Sequence, residues 1–245
     1  MTPDPGSGPR APTADLQRLR AEYADRERRF VESDRYSLSN PATLFLVQQR
    51  QRAALKILCR QGFYPLDERR VLEIGCGEGG VLLELLTYGA AHGRLHGADL
   101  LLERVRRGRT RLPHVALTCA DGQSLPYAAG VFDLVVQYTV FSSILDDDVR
   151  AHLAREILRV LRRPSGMILW YDFWLNPVNE HTRGIRPAEV RRLFPDCRFK
   201  FVRTTLAPPL TRRLIRLGWG MCYLLERLGL FNTHYLVSIV PSDHA

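Results

Sequence analysis

The sequence predicts an α/β protein whose core is a mostly parallel β-sheet. Three observations support this fold class. Short apolar runs typical of buried strands alternate with helical patterns from residue 70 onward. A glycine-rich turn follows the first of these runs directly, and acidic residues lie at or near the ends of the first three. Because ligands of open α/β sheets bind at the carboxyl ends of the strands, this pattern also predicts where a site should lie.

The predicted elements follow one another with short connections. Strands are predicted over residues 70–75, 94–99, 114–119, 132–137, 166–172, 198–206 and 234–240. Helices are predicted over residues 79–89, 101–110, 147–162, 186–194 and 210–229. The helix at 210–229 is unusual because it separates two strands that a hairpin often joins. Its apolar stripe predicts a helix packed on the core or on a partner in a homodimer, or a lid or membrane-surface contact.

The segment before the first strand predicts three regions. Residues 1–14 are rich in Pro, Gly, Thr and Ser and are expected to be a disordered tail. Residues 15–62 are expected to form a helical cap, with a second helix starting at Asn40-Pro41 as N-cap and first helical residue. Residues 63–245 are then the main domain, with helix 210–229 as an insertion.

Composition limits the function classes. The chain has 245 residues, 45% of them hydrophobic, and five scattered cysteines without a C-x-x-C pair. We therefore expect a reducing compartment and no metal site. The absence of a signal peptide or a long apolar run predicts a cytoplasmic location. The net charge of +9 comes almost entirely from arginines spread over most helices, which makes a nucleic-acid partner unlikely.

The glycine turn carries the strongest functional signal. Gly75, Gly77 and Gly80 fit the dinucleotide spacing G-x-G-x-x-G, whereas Glu73 with Gly75, Gly77 and Gly79 fits E-x-G-x-G-x-G. The second pattern resembles the first motif of class I, Rossmann-like S-adenosylmethionine (SAM)-dependent methyltransferases. Glu73 favours this interpretation, because a carboxylate suits an amino group and a sulfonium better than a pyrophosphate.

This resemblance extends over residues 70–172 and implies a specific fold and cofactor. The family's sheet has seven strands, mostly parallel with an antiparallel last strand, and helices on both faces. The implied cofactor is SAM, with S-adenosylhomocysteine as product. Segments 36–41, 170–177 and 206–210 resemble a bacterial branch of the family associated with polysaccharide and secondary metabolism.

The resemblance also implies cofactor contacts. Asp99 would accept hydrogen bonds from the ribose hydroxyls, and Asp121 with Gly122 would meet the adenine; an ordinary turn aspartate and an Asx turn are the alternatives. Further candidates are Tyr36, Cys76 as a small spacer, Leu100 against the adenine face, and the backbone of Gln137.

The catalytic candidates are less well defined. Asp172 ends the fifth strand and His181 lies in the next loop, where a general base for a hydroxyl acceptor is expected. A turn cap and a solvated loop histidine are the alternatives. The predicted function is methyl transfer to a small-molecule acceptor, a hydroxyl of a sugar or natural product. A nucleic-acid methyltransferase, an NAD-dependent oxidoreductase and a non-catalytic SAM-binding protein remain alternatives.

Overall fold

The computed structural model describes residues 17–18, 20–22, 25, 37–175 and 181–242. The strands in these ranges form one seven-stranded sheet. The strands are β1 (Val71–Ile74), β2 (Leu95–Asp99), β3 (Ala116–Cys119), β4 (Leu134–Tyr138), β5 (Met167–Phe173), β6 (Cys197–Leu206) and β7 (Asn232–Pro241). Their order is β3-β2-β1-β4-β5-β7-β6. Strand β7 runs antiparallel to both β5 and β6, and the other six strands all run in the same direction. The predicted sheet is therefore confirmed, including its antiparallel last strand.

Helices cover both faces of this sheet. They are α1 (Pro41–Arg60), α2 (Gly80–Thr87), α3 (Leu102–Arg111), α4 (Asp147–Val160), α5 (Pro187–Leu193), α6 (Pro208–Leu214) and α7 (Trp219–Leu228). Side chains alternate across each strand, so Leu72 of β1 packs into one apolar cluster and Val71 into the other. In the described residues, no helix is both long enough and apolar enough to cross a bilayer.

Helix α1 begins where the sequence predicts. Asn40 has an extended backbone and its Oδ1 accepts from the amide of Ala42 at 3.0 Å, while Pro41 occupies the first helical position. The helix buries Ile57 and Leu58 in the same cluster as Val71, so it contributes to the core of the main domain. The described residues between 17 and 25 are also helical. The predicted tail at 1–14 lies outside the described residues.

The predicted single helix at 210–229 is wrong. The chain forms α6, a 3₁₀ turn over Ile215–Leu217 and then α7. Gly218 takes φ 121°, which a right-handed helix cannot accommodate, and it separates the two helices. The apolar periodicity continues across the break, which is why it predicted one helix.

The α6–α7 segment lies at the carboxyl edge of the sheet. Strand β6 runs in the same direction as β5, since both are antiparallel to β7, and it ends at Leu206 opposite Asn232. Phe45 of α1 packs edge-on against Trp219 and Tyr223 of α7, with ring centroids 5.6 and 5.2 Å apart. The segment is therefore fixed to α1 at the edge where ligands bind in such sheets.

Candidate functional site

A cavity of about 700 Å³ lies at the carboxyl ends of β1, β2 and β4. Its size is in the range of small-molecule sites. The sequence-predicted cofactor residues in its lining are Glu73, Gly75, Cys76, Asp99, Leu100, Asp121 and Gly122. Tyr36, also predicted, lies outside the described residues. The structure therefore brings most of the predicted cofactor set together around one space.

The glycine turn is built by left-handed backbone. Gly75, Gly77 and Gly79 have φ of 70°, 52° and 83°, conformations that side chains disfavour. The amide of Gly75 donates to the Ala98 carbonyl of β2 at 2.8 Å, which fastens the turn to the neighbouring strand. Gly77 is not one of the residues that line the cavity. A Cβ on Gly77 would overlap the guanidinium of Arg104. The turn thus exposes bare backbone at the start of α2.

Asp99 connects the glycine turn to the end of β2. Its Oδ2 accepts from the amide of Gly77 at 2.8 Å, and its Oδ1 accepts from the amide of Leu101 at 2.9 Å. The guanidinium of Arg104 lies 4.0 Å from Oδ2. Because each carboxylate oxygen has two lone pairs, Asp99 holds the turn and keeps acceptor capacity toward the cavity.

The loop after β3 forms another wall. Asp121 makes the Asx turn that was the alternative interpretation, since its Oδ1 accepts from the amide of Gln123 at 2.9 Å. It also lines the cavity, together with Leu100 and Gly122. A Cβ on Gly122 would crowd Leu153, which lines the same cavity. The turn and the lining role are therefore compatible.

Glu73 is the most unusual group in the lining. Its side chain is buried, and its Oε2 has no hydrogen-bond partner among the described residues. Burial raises the pKa of this carboxyl well above its usual range, and the Arg50 guanidinium offsets part of that rise. An unsatisfied buried carboxylate oxygen at a cavity wall fits a ligand that supplies a cationic donor.

Arg50, in the middle of α1, is a site residue that the sequence reasoning missed. Its Nη2 donates to Glu84 of α2 at 2.6 Å, and its guanidinium lies over the ring of Tyr138 at 4.9 Å. Burial lowers the pKa of Arg50, but the carboxylate of Glu84 raises it, and the resulting pKa lies above the ordinary value. Arg50 thereby places a permanent cation in the cavity wall near Glu73.

The end of β4 forms the wall beside the glycine turn, where a Cβ on Gly75 would overlap Val140. Tyr138, Thr139 and Val140 line the cavity. Gln137, predicted as a backbone contact, stands outside the described lining, and its buried Oε1 accepts from the amide of Val140 at 3.1 Å. Thr139 has φ 59°, which is uncommon for a β-branched residue. The Tyr138 hydroxyl is buried without a hydrogen-bond partner in the described part of the chain.

Asp172, predicted as a catalytic residue, does not line this cavity. Its carboxylate is 1% exposed and accepts from the amides of Ser142 and Phe173 at 3.1 and 2.9 Å. Burial raises the pKa of Asp172 from 3.8 to about 7, although these hydrogen bonds lower it. Asp172 therefore braces the turn at residues 141–143, and we interpret it as a positioning residue.

His181 also lies outside the described lining. Its side chain is half-exposed, and its Nε2 lies 3.5 Å from Oε2 of Glu22 in the N-terminal helical residues. The structure thus does not bring His181 and Asp172 together at the cavity, and the placement does not support either as a base. No cluster of three or more His, Cys, Asp or Glu side chains in the described ranges is arranged to hold a metal ion.

Comparison with known proteins agrees with this geometry. The family described as "Methyltransferase domain" matches residues 71–166, which contain the glycine turn, Asp99 and Asp121. Residues 71–166, the part of the chain that this family covers, are a methyltransferase domain of the class I, SAM-dependent type. The family predicted from the motifs, with SAM as its cofactor, is confirmed.

The curated relatives are similar over part of their length. The chain is 30% identical over 107 residues to the sterol 4-C-methyltransferase strm-1 of Caenorhabditis elegans, over 41% of this chain and 30% of that protein. It is 35% identical over 97 residues to the aklanonic acid methyltransferase DauC of Streptomyces sp. (strain C5), over 37% of this chain and 43% of that protein. The chain thus spans less than half the length of these methyltransferases.

A solved structure shows the same fold over nearly the whole chain. The 1,6-didemethyltoxoflavin-N1-methyltransferase of Burkholderia thailandensis superposes with a TM-score of 0.61 at 18% identity, covering 97% of this chain and 93% of that chain. It contains bound S-adenosylhomocysteine and 1,6-didemethyltoxoflavin. At this identity the likeness concerns the fold.

Proposed function

We propose that this methyltransferase transfers the methyl group of SAM to a small-molecule acceptor, a hydroxyl of a sugar or natural product. The observation that carries the proposal is the unsatisfied Glu73 carboxylate in the same cavity as the glycine turn, Asp99 and Asp121. Together these groups offer acceptors for an amino group, two ribose hydroxyls and an adenine amino group along one wall.

The residues present fit the cofactor. Glu73 is suited to the ammonium of its amino acid end, and Arg50 to the carboxylate of that end, since each is a charge of opposite sign in the cavity wall. Asp99 would hold the ribose, and Asp121, Gly122 and Leu100 would border the adenine. Gly75, Gly77 and Cys76 would leave room for close approach of the backbone, and Tyr36 and Gln137 remain proposed contacts.

The chemistry that SAM supplies is a methyl group already activated on a cationic sulfur. The chain would contribute orientation and exclusion of water. Positioning of two reactants can account for about 7–11 kcal/mol of the barrier. The buried Tyr138 hydroxyl, whose pKa is raised by burial, would stay protonated and can hydrogen-bond an acceptor oxygen. A neutral phenol there would orient the acceptor and would not deprotonate it.

A small-molecule acceptor is supported by the cavity and by the relatives. Leu125, Ile144 and Val149 give the cavity part of its apolar surface. The relatives' names specify a sterol and aklanonic acid as acceptors, which are small molecules with large apolar parts. An acceptor of this kind fits a cavity that offers apolar surface as well as polar groups.

Calorimetry with SAM, S-adenosylhomocysteine and NAD tests the cofactor assignment. We expect binding of the first two and not of NAD, and an E73Q variant that binds SAM more weakly. Release of S-adenosylhomocysteine from SAM is then measured with hydroxylated sugars, polyketides and sterols as candidate acceptors. Oligonucleotides are tested as acceptors in the same way. Tight binding of NAD alone would overturn the proposal. Turnover on oligonucleotides alone would replace the acceptor class, and SAM binding without any turnover would favour a non-catalytic role.

A further inference from the structure

The α6–α7 segment exposes an unusual amount of apolar surface. The side chains involved are Leu217, Met221, Leu224, Leu228, Leu230 and Phe231, which we call the apolar face. Leu217 is 76% exposed and Leu230 is 69% exposed. Met221, Leu224 and Leu228 repeat at helical spacing along one side of α7. Exposed large apolar side chains concentrated in one segment in this way are typical of an interaction site.

Positive charge surrounds this apolar face. Residues 207–231 contain four arginines and a single acid, Glu226. Arg213, Arg216 and Arg227 are exposed, whereas Glu226 is engaged by Arg52 of α1 at 2.9 Å. The segment therefore presents leucines together with uncompensated arginine charge, which is the composition of helices that lie on anionic membranes.

The apolar face belongs to the same edge of the sheet as the cavity. Strand β6 delivers the chain to the carboxyl edge before α6 begins, and the cavity opens among the carboxyl ends of β1, β2 and β4. Helix α1 lies between the two: Arg50 lines the cavity, and Arg52, two residues later and on the other side of the helix, donates to Glu226 of α7. A surface that binds the apolar face would therefore lie at the same edge of the sheet as the cavity, across α1 from it.

We propose that the apolar face docks this protein on an anionic lipid surface, from which the acceptor enters the cavity. The second part rests on the proposed function, whereas the docking does not. A second copy of the chain is a poorer occupant, because a two-fold interface would bring the same basic segment against itself. Anionic headgroups satisfy the arginines while the leucines and Phe231 enter the interfacial region.

Vesicle co-sedimentation of the full chain tests the docking. The probes are vesicles of phosphatidylcholine alone and vesicles of phosphatidylcholine mixed equally with phosphatidylglycerol. We expect binding to the mixed vesicles that weakens with added salt, and little binding to phosphatidylcholine alone. Equal binding to both, or no binding to either, would overturn the proposal.

Two double variants and a matched control locate the contact. L224S/L228S removes exposed leucines, and R213A/R216A removes exposed charge; each should reduce the binding constant for mixed vesicles on the order of tenfold or more. R192A/R198A removes the same charge near the start of β6, at the opposite edge, and should bind as the parent protein does. Equal losses in all three variants would attribute binding to net charge and overturn the assignment to this face.

Two further measurements keep the result interpretable. Circular dichroism and calorimetry with SAM should show that the leucine variant is folded and binds cofactor as the parent does. If the parent protein did not bind SAM, this would count against the proposed function but would not affect the docking result. A dimer in size-exclusion chromatography that L224S/L228S dissociates would show a second copy as the occupant and overturn the proposal.

Discussion

The Nη2 of Arg50 in α1 lies 2.6 Å from Oε2 of Glu84 in α2. The two residues are 34 positions apart in the sequence, so their ion pair joins α1 to α2. The pair also holds the guanidinium over Tyr138 in the cavity wall. Tyr88 donates its hydroxyl to the other oxygen of Glu84 at 2.8 Å. Both oxygens of Glu84 therefore help to hold Arg50 against α2, and the cation near Glu73 is fixed before any ligand arrives.

Replacement of Arg50 by Met should destabilise the fold and weaken cofactor binding. The change leaves the carboxylate of Glu84, with 3% of its side chain exposed, without its cation, which costs about 3–5 kcal/mol for buried pairs. Urea unfolding measures the stability and calorimetry the affinity. The R50M/E84Q double variant should recover much of the stability but not the affinity. Recovery of both would show that Arg50 is only structural.

The Glu73→Gln change should weaken SAM binding and remove a pH dependence. Burial raises the pKa of Glu73 in the free protein, and a cationic ligand would lower it, so SAM binding should release a proton and should tighten as the pH rises. Calorimetry in buffers of different ionisation enthalpy measures that proton. E103Q, an exposed glutamate on α3, is the matched control. An unchanged proton count in E73Q would remove Glu73 from the site.

The Asp99→Asn change should weaken binding of SAM and of adenosine alone by a similar factor. Loss of a charge-assisted hydrogen bond costs about 1.5–3 kcal/mol, or roughly 10- to 100-fold in affinity. E73Q should leave adenosine binding unchanged, because adenosine lacks the amino acid end. Equal adenosine affinity in the parent protein and D99N would place the ribose elsewhere.

The Asp172→Asn change should alter how stability depends on pH. Burial raises the pKa of Asp172 to about 7, so the folded protein binds this proton more tightly than the unfolded chain does. Its contribution is complete below about pH 4 and is lost as the pH rises toward 7. Relative to D172N, the parent protein should lose a few kcal/mol over this window, since one pKa unit corresponds to about 1.4 kcal/mol. Urea unfolding across the window measures the difference; parallel curves would contradict the assignment.

The His181→Ala change should leave turnover and its pH profile unchanged once an acceptor is known. The Nε2 of His181 faces Oε2 of Glu22 at 3.5 Å, and 46% of the histidine side chain but only 11% of the glutamate side chain is exposed. E22Q serves as the matched variant that removes the pair and keeps the histidine. If H181A lost turnover and its pH profile shifted while E22Q did not, the histidine would be the base after all.

The cofactor half of the site could be predicted because its chemistry is local. Gly75 directly follows β1, Asp99 is the last residue of β2, and Asp121 lies two residues after β3. Parallel strands bring their carboxyl ends to one edge. Arg50 gave no such signal. An arginine on an amphipathic helix is usually solvated, and only the packing of α1 beside β1 shows that this one enters the cavity wall.

Other differences between prediction and structure also arise from tertiary context. Asp172 is at the carboxyl end of β5 as predicted, but side chains alternate across a strand, so it shares the side of Trp170 and caps the turn at residues 141–143. The α6–α7 segment has continuous apolar periodicity, and no periodicity reports that Gly218 takes a positive φ. Sequence patterns place residues on elements, whereas the direction of a side chain depends on what packs around it.

Strand β6 is an outer strand of the sheet, with one long side of its backbone free of sheet pairing. Such a strand can pair with a strand of another molecule and start aggregation. Three exposed cations lie along β6: Arg198, Lys200 and Arg203. If a second copy of the chain paired with β6 in register, each of these cations would lie next to the same cation of the other copy. The same arginine-rich composition that surrounds the apolar face therefore also protects the free border of the sheet from self-association.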